Sequence, residues 1–154
     1  MALRIEPLAS HPEVLPVLQA WFAWEWPAYY GAAGRGNARR DLHAYANPAG
    51  LPFGVVAFRE GAVCGVAALK ADSIATHAHL SPWAAAGVVR RDLRGRGIGE
   101  QLLLALQRQA AAMGFSKIYC GTSTAEGLLQ RTGWRLLERV NHEGELLGIY
   151  VKAL

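Results

Sequence analysis

The sequence predicts an α/β fold, a mixed sheet with helices on both of its faces. Two observations predict it. Strand-like apolar runs and stretches with helical spacing follow one another in the order β, α, α, β, β, β, α, β, α, β, β. Some consecutive strands are joined by a tight turn and others by a helix, which calls for antiparallel and parallel pairs within one sheet.

Each element has its own signal. Leu3, Ile5 and Leu8 mark a strand over residues 3–8. Ser10 stands where a helix N-cap would, ahead of Pro12 and Glu13. Val14, Val17, Leu18, Trp21 and Phe22 then repeat at helical spacing toward Trp26, with Pro16 early enough for a first turn. Pro27 ends that helix, residues 27–36 read as a loop rich in Tyr and Gly, and Asn37–Ala46 is a second helix closed by Asn47-Pro48. Phe53–Arg59 and Ala62–Lys70 form a hairpin on Glu60-Gly61, where glycine can take a positive φ. The polar stretch 71–82 is a connecting loop, and the small-residue run Trp83–Val89 reads as a strand buried on both faces. The glycines of residues 94–99 lead into a helix over Glu100–Met113, striped by Leu102, Leu103, Leu106, Ala110 and Met113, with Gly114 as its stop. Ser116–Gly121 is a strand, Thr124 caps a short helix that Gly133 ends, and Arg135–Asn141 with Leu146–Lys152 make a last hairpin. That hairpin is suited to pair with a second copy of the chain. With no internal repeat or long linker, one domain over residues 1–154 is expected.

Composition narrows the class. The chain has 154 residues, 52% hydrophobic and 18% charged, enough for a packed core. No apolar run of about 18 residues suggests a membrane span, and the first residues lack a secretory signature. Cys64 and Cys120 make neither a disulfide framework nor a CxxC pair. A cytoplasmic protein with no membrane partner is expected. The net charge of +4 is local, because Arg90, Arg91, Arg94 and Arg96 fall within seven residues that hold a single acid, Asp92. A duplex-binding protein spreads its cations along a face. This knot suits one phosphorylated ligand, and no nucleic-acid partner is expected.

The chemistry concentrates where the strand ending at Val88-Val89 runs into Arg94-Gly95-Arg96-Gly97-Ile98-Gly99. Glycines at alternate positions let backbone N–H groups converge, and the following helix adds about half a positive charge at its start. Together they make an anion site suited to a pyrophosphate. Spacing excludes two common alternatives. A P-loop needs Gly-Lys-Ser/Thr after four residues, and a dinucleotide fingerprint needs GxGxxG with an acid about 20 residues on. The pattern satisfied is Arg/Gln-x-x-Gly-x-Gly/Ala.

On these residues the chain resembles the GNAT superfamily of acetyl-CoA-dependent N-acetyltransferases, most strongly from Ser81 to Trp134. The resemblance implies a mixed, mostly antiparallel sheet, with acetyl-CoA as co-substrate and a small-molecule amine as acceptor. Leu80-Ser81-Pro82-Trp83 points to the small-molecule branch. It further implies that residues 94–99 bind the CoA pyrophosphate through backbone amides. Val88 and Val89 would lie on a strand, splayed from its neighbour, that pairs with the pantetheine arm. Gly133-Trp134 matches the family's Gly-aromatic pair. Two departures stand out. The usual tyrosine acid, five residues before that aromatic, is Leu129 here, and the strand 83–89 lacks the glutamate that often serves as base.

Candidate bases are therefore Asp72, His77 and His79 on the preceding loop, with loop solvation or hydrogen bonding as the plainer account. His-x-His without a third ligand nearby does not make a metal site, and no metal is expected. Trp24, Glu25, Trp26 and Tyr29 are candidate acceptor-binding residues, because the family shapes its acceptor pocket with the first helix and its exit loop. Packing against the sheet is the alternative for them. An aromatic wall that holds a carboxylate suits a cationic or an aromatic amine. Tyr119 and Cys120 lie within reach of the thioester region or simply pack. The competing reading is an acyl-CoA-binding or regulatory module with little turnover, motivated by Leu129.

Overall fold

The computed structural model describes residues 2–154. The chain opens with β1 (Leu3–Pro7) and two short 3-10 turns, then α1 (Leu15–Glu25), the single turn α2 (Pro27–Tyr30) and α3 (Ala38–Tyr45). The hairpin of β2 (Phe53–Arg59) and β3 (Ala62–Lys70) follows. β4 (Trp83–Val89) leads into α4 (Ile98–Ala112), β5 (Lys117–Thr122) and α5 (Glu126–Arg131). The chain closes with β6 (Arg135–His142) and β7 (Glu145–Ala153). Among the described residues these make a seven-stranded sheet in the order β1-β2-β3-β4-β5-β7-β6. Every neighbouring pair is antiparallel except β4 with β5. The mixed, mostly antiparallel sheet matches the expectation, and none of the described helices is long and apolar enough to cross a membrane.

Several local expectations need correction. Ser10 caps no helix; it closes a 3-10 turn, and α1 starts five residues later without a side-chain cap. The buried Leu8 and Val14 hold the two 3-10 turns against the sheet, so packing replaces capping there. Asn37 does cap α3, accepting from the Arg40 N–H at 2.9 Å. Thr124 does not cap α5. Thr122 Oγ1 accepts from the N–H groups of Thr124 and Ala125 and turns the chain into it. Residues 27–30 wind into one helical turn, because Trp26 and Tyr30 pack on Phe22 and Tyr29 packs edge-on against Tyr30. In the β2–β3 turn Glu60 joins Gly61 at positive φ, the geometry whose twist matches a two-residue hairpin.

Alternation along the strands sorts the core onto two faces. Leu69, Ala84, Ile118 and Tyr150 pack beneath α4 and α5, against Leu102, Leu106 and Leu129. On the opposite face Val56, Val66, Ala68 and Val88 pack against Leu18, Phe22 and Leu42 of α1 and α3. Further along that same face, Trp83 and Ile149 pack under Ile74 and Leu80 of the loop after β3. Two separate clusters therefore cover the α1 face, and the line between them follows the junction of β4 with β5.

Candidate active site

That junction is open. β4 and β5 pair only at Trp83 and Tyr119, so from Ala84 onward β4 has no ladder partner on that side. On its other side β4 carries a bulge. Val66 pairs with Val88 but Ala68 pairs with Ala85, which sets Ala86 and Gly87 against the single Ala67. Ala86 takes φ +56°, a conformation that costs an L-residue about 1–2 kcal/mol. The strand expected to be buried on both faces is thus half open. Trp83, Ala84 and Val88 are buried, Gly87 is exposed, and a Cβ built on Gly87 meets nothing within 4 Å. The splay that the resemblance implied for this strand is present where β4 parts from β5.

The glycine loop leaves the open end of β4. The Arg90 N–H donates to the Cys64 carbonyl at 2.9 Å, and the buried Leu93 and Ile98 pin the loop at both ends. Between them Gly95 and Gly97 sit at φ +78° and +83°, with open space where side chains would project. The Gln101 N–H reaches the Gly97 carbonyl at 3.1 Å. The N–H groups of Ile98, Gly99 and Glu100 lie ahead of that bond and have no intrahelical acceptor. A cradle of free amides, with no side chain filling it, fits a pyrophosphate.

The four arginines divide their roles. Arg90 grips Asp92 with two hydrogen bonds, at 2.7 and 3.1 Å, and holds that carboxyl below the usual carboxylate range. Arg94 turns away from the loop. Its Nε donates to the Val89 carbonyl at 2.9 Å and its Nη2 to Glu25 Oε1 at 2.7 Å. Among the described residues, Arg91 and Arg96 have no carboxylate partner. Arg96 joins Arg59, Arg90 and Leu93 around a depression of about 360 Å³ beside the β2–β3 turn.

On the α1 face, Trp26 and Tyr30 pack into the cluster that also holds Ala86 and Val88. Tyr30 Oη donates to Asp41 Oδ2 at 2.6 Å, and burial raises the Tyr30 pKa far above its ordinary value. Arg35 stands over the Tyr29 ring at 5.6 Å and pairs with Glu143 in the β6–β7 turn. The segment after α1 thus reaches across the opening to the far side of the sheet. Trp24 is set apart from this group, 66% exposed on the outer side of α1.

The three base candidates are not brought together. The rings of His77 and His79 stack at 5.9 Å, but neither makes a hydrogen bond or ion pair with Asp72. His77 Nε2 lies 2.5 Å from Glu138 Oε1 and its Nδ1 lies 2.8 Å from Thr76 Oγ1. Both ring nitrogens are occupied, so the residue anchors its loop to β6. Tyr119 packs on Trp83 at 5.7 Å, and burial pushes the Cys120 thiol up to about 12. No group of three His, Cys, Asp or Glu side chains gathers among the described residues as a metal site would need.

The pattern of the acetyltransferase (GNAT) family matches residues 18–134, from the middle of α1 to the Gly133-Trp134 pair. The chain belongs to the GNAT family. Solved structures with the same fold include an aminoglycoside 6'-N-acetyltransferase complexed with coenzyme A, at TM-score 0.79 and 14% identity over 99% of this chain and 97% of that one. An N-acetyltransferase from Staphylococcus aureus Mu50 superimposes at TM-score 0.78 and 18% identity, with 99% of each chain covered. The aminoglycoside 6'-N-acetyltransferase from Enterococcus faecium does so at 0.77 and 16%, covering 99% and 97%. At such identities the likeness is one of fold. Comparison with curated proteins finds no match.

Within this GNAT fold, Leu129 is fully buried in the core beneath α4 and α5. Its neighbour Leu128 faces the loop instead, with Cδ2 3.5 Å from a Cβ built on Gly99. Two features had no sequence signal, the Ala86 bulge and the matching of Glu25 by Arg94 across 69 residues.

Proposed function

We propose that this protein transfers the acetyl group of acetyl-CoA to an amine of a small molecule, by direct attack in a ternary complex. The observation that carries the reading is the parting of β4 from β5 beside an unfilled amide cradle. When bound, acetyl-CoA supplies an activated thioester. The N–H groups around Gly95, Gly97 and Gly99 hold its pyrophosphate, and Arg91 and Arg96 add charge at the rim. The unpaired edge of β4, from Ala84 to Val89, offers backbone groups to the pantetheine arm. The acceptor approaches from the α1 face, between Trp26 and Tyr30 on one bank and the loop of Ile74 on the other.

No ionisable side chain stands on β4, and the buried Leu129 donates no proton. Acceleration then comes from holding amine and thioester at attack distance. The test is release of free thiol from acetyl-CoA over a panel of amines, with a thermal shift by acetyl-CoA near millimolar concentration as the binding control. Release with at least one amine is expected. The buried Leu129 also favours a second reading, an acyl-CoA-binding module without turnover. A thermal shift with no thiol release for any acceptor would establish that reading instead.

A further inference from the structure

We propose that the acceptor is a monoamine carried on an aromatic or apolar body, not a polycation; this rests on the acetyl-transfer reading above. The ground is what lines the α1 face of the opening. One bank presents Trp26 and Tyr30, packed together with Ala86. The other presents Ile74, Leu80 and Tyr119. Gly121 has no side chain, and Ile74 fills that space, its Cδ1 2.8 Å from where a Cβ would stand. The strip above the β4–β5 junction is therefore apolar.

The carboxylates on the surrounding elements are already matched. Glu25 is held by Arg94, Glu143 by Arg35, Glu138 by His77, and Asp41 accepts from Tyr30. Among the described residues of these walls, only Asp72 and Glu145 are carboxylates without an ion-pair or hydrogen-bond partner, and both are exposed. Beyond these two exposed carboxylates, a ligand bearing several ammonium groups would have to pull Glu25 from Arg94 or Glu143 from Arg35. Each exchange would leave an arginine facing the cationic ligand. A molecule with one amine avoids this, and its ring finds aromatic faces to lie against.

The same lining serves the chemistry. An apolar groove disfavours the charged form of a bound ammonium, so its pKa falls and solvent can take the proton without a dedicated base. The neutral amine then forms the C–N bond as the C–S bond breaks. The proton lost from nitrogen ends on sulfur by way of solvent, giving amide and free thiol.

Thiol release from acetyl-CoA with 2-phenylethylamine and tryptamine, compared with kanamycin and neomycin, tests this. The aromatic monoamines are expected to show kcat/KM about tenfold higher or more, the advantage that burying one ring confers. In a Trp26→Leu variant, KM for 2-phenylethylamine should rise while the thermal shift by acetyl-CoA persists, which separates a lost contact from a lost fold. A higher kcat/KM for kanamycin would overturn the inference. So would a protein that acetyl-CoA stabilises but that neither binds nor acetylates an aromatic monoamine, and the co-substrate reading would then stand. Absence of any shift with acetyl-CoA would overturn that underlying reading as well.

Discussion

Arg94 and Glu25, 69 residues apart, meet at 2.7 Å, and the same guanidinium donates to the Val89 carbonyl at 2.9 Å. One side chain thus joins the end of α1, the end of β4 and the glycine loop. The bank proposed for the acceptor and the cradle proposed for the cofactor are fastened to each other at this point.

The pair is half exposed, so its contribution to stability is under about 1 kcal/mol. Its effect should appear in ligand binding. Arg94→Gln is expected to weaken acetyl-CoA binding several-fold, because the glycine loop loses its tie to the Val89 carbonyl and to Glu25. Glu25→Gln should weaken it less, because Arg94 keeps its bond to the Val89 carbonyl. Calorimetric titration of both variants and the double mutant checks this. Additive effects would show that the two residues do not act on the ligand together.

Gly87 and Gly97 separate cradle space from backbone strain. Gly97 sits at φ +83°, so Gly97→Ala should cost about 1–2 kcal/mol and also weaken acetyl-CoA binding. Gly87 has no such φ and has open space where a methyl would go. Gly87→Ala should leave stability within about 0.5 kcal/mol and still weaken the ligand. Urea denaturation paired with a binding titration reads both quantities. Unchanged affinity in Gly87→Ala would remove that stretch of β4 from the cradle.

Leu129→Tyr probes the absent acid. Because Leu129 is fully buried, the larger ring has to enter a packed core at a cost of about 1–3 kcal/mol. A lower melting temperature with no gain in thiol release is expected. A rate gain would show that a side chain at 129 reaches the leaving sulfur after all.

Stability should depend on pH through His11. Its pKa is raised, first by the hydrogen bond with Glu6 and then by Glu13. A histidine whose folded pKa lies above its unfolded value of 6.5 contributes fully below that value and loses the contribution as pH rises through the folded one. Denaturation midpoints should fall as pH rises above 6.5, and His11→Gln should flatten the decline. The carboxyls of Asp92 and Glu126, held low by Arg90 and by Tyr150, act in the opposite sense. Their contribution is present above the ordinary carboxylate range and is lost as the solution becomes acidic. A His11→Gln profile as steep as that of the parent protein would show that another group titrates.

The sequence by itself determined the element order, the mixed sheet and the place of the glycine loop. Those features are local. Apolar spacing sets whether a segment winds or extends, and Arg94-Gly95-Arg96-Gly97-Ile98-Gly99 needs only its own backbone to turn amides outward. It was less informative at Ser10 and Thr124, where Leu8, Val14 and Thr122 take over the work of the expected caps. Only the tertiary structure decided how each charge is used. Arg94 has the composition of a phosphate ligand and Glu25 that of an amine ligand, yet each is matched by the other across 69 residues. His77 has the type of a general base, but its nitrogens are taken up by Thr76 and Glu138. The bulge at Ala86 was likewise invisible, because an alanine carries no sign of the positive φ that its pairing with β3 imposes. The reason is common to all of these. Backbone propensity acts between neighbours along the chain, whereas a side chain's electrostatic role depends on which partners folding brings within hydrogen-bond reach.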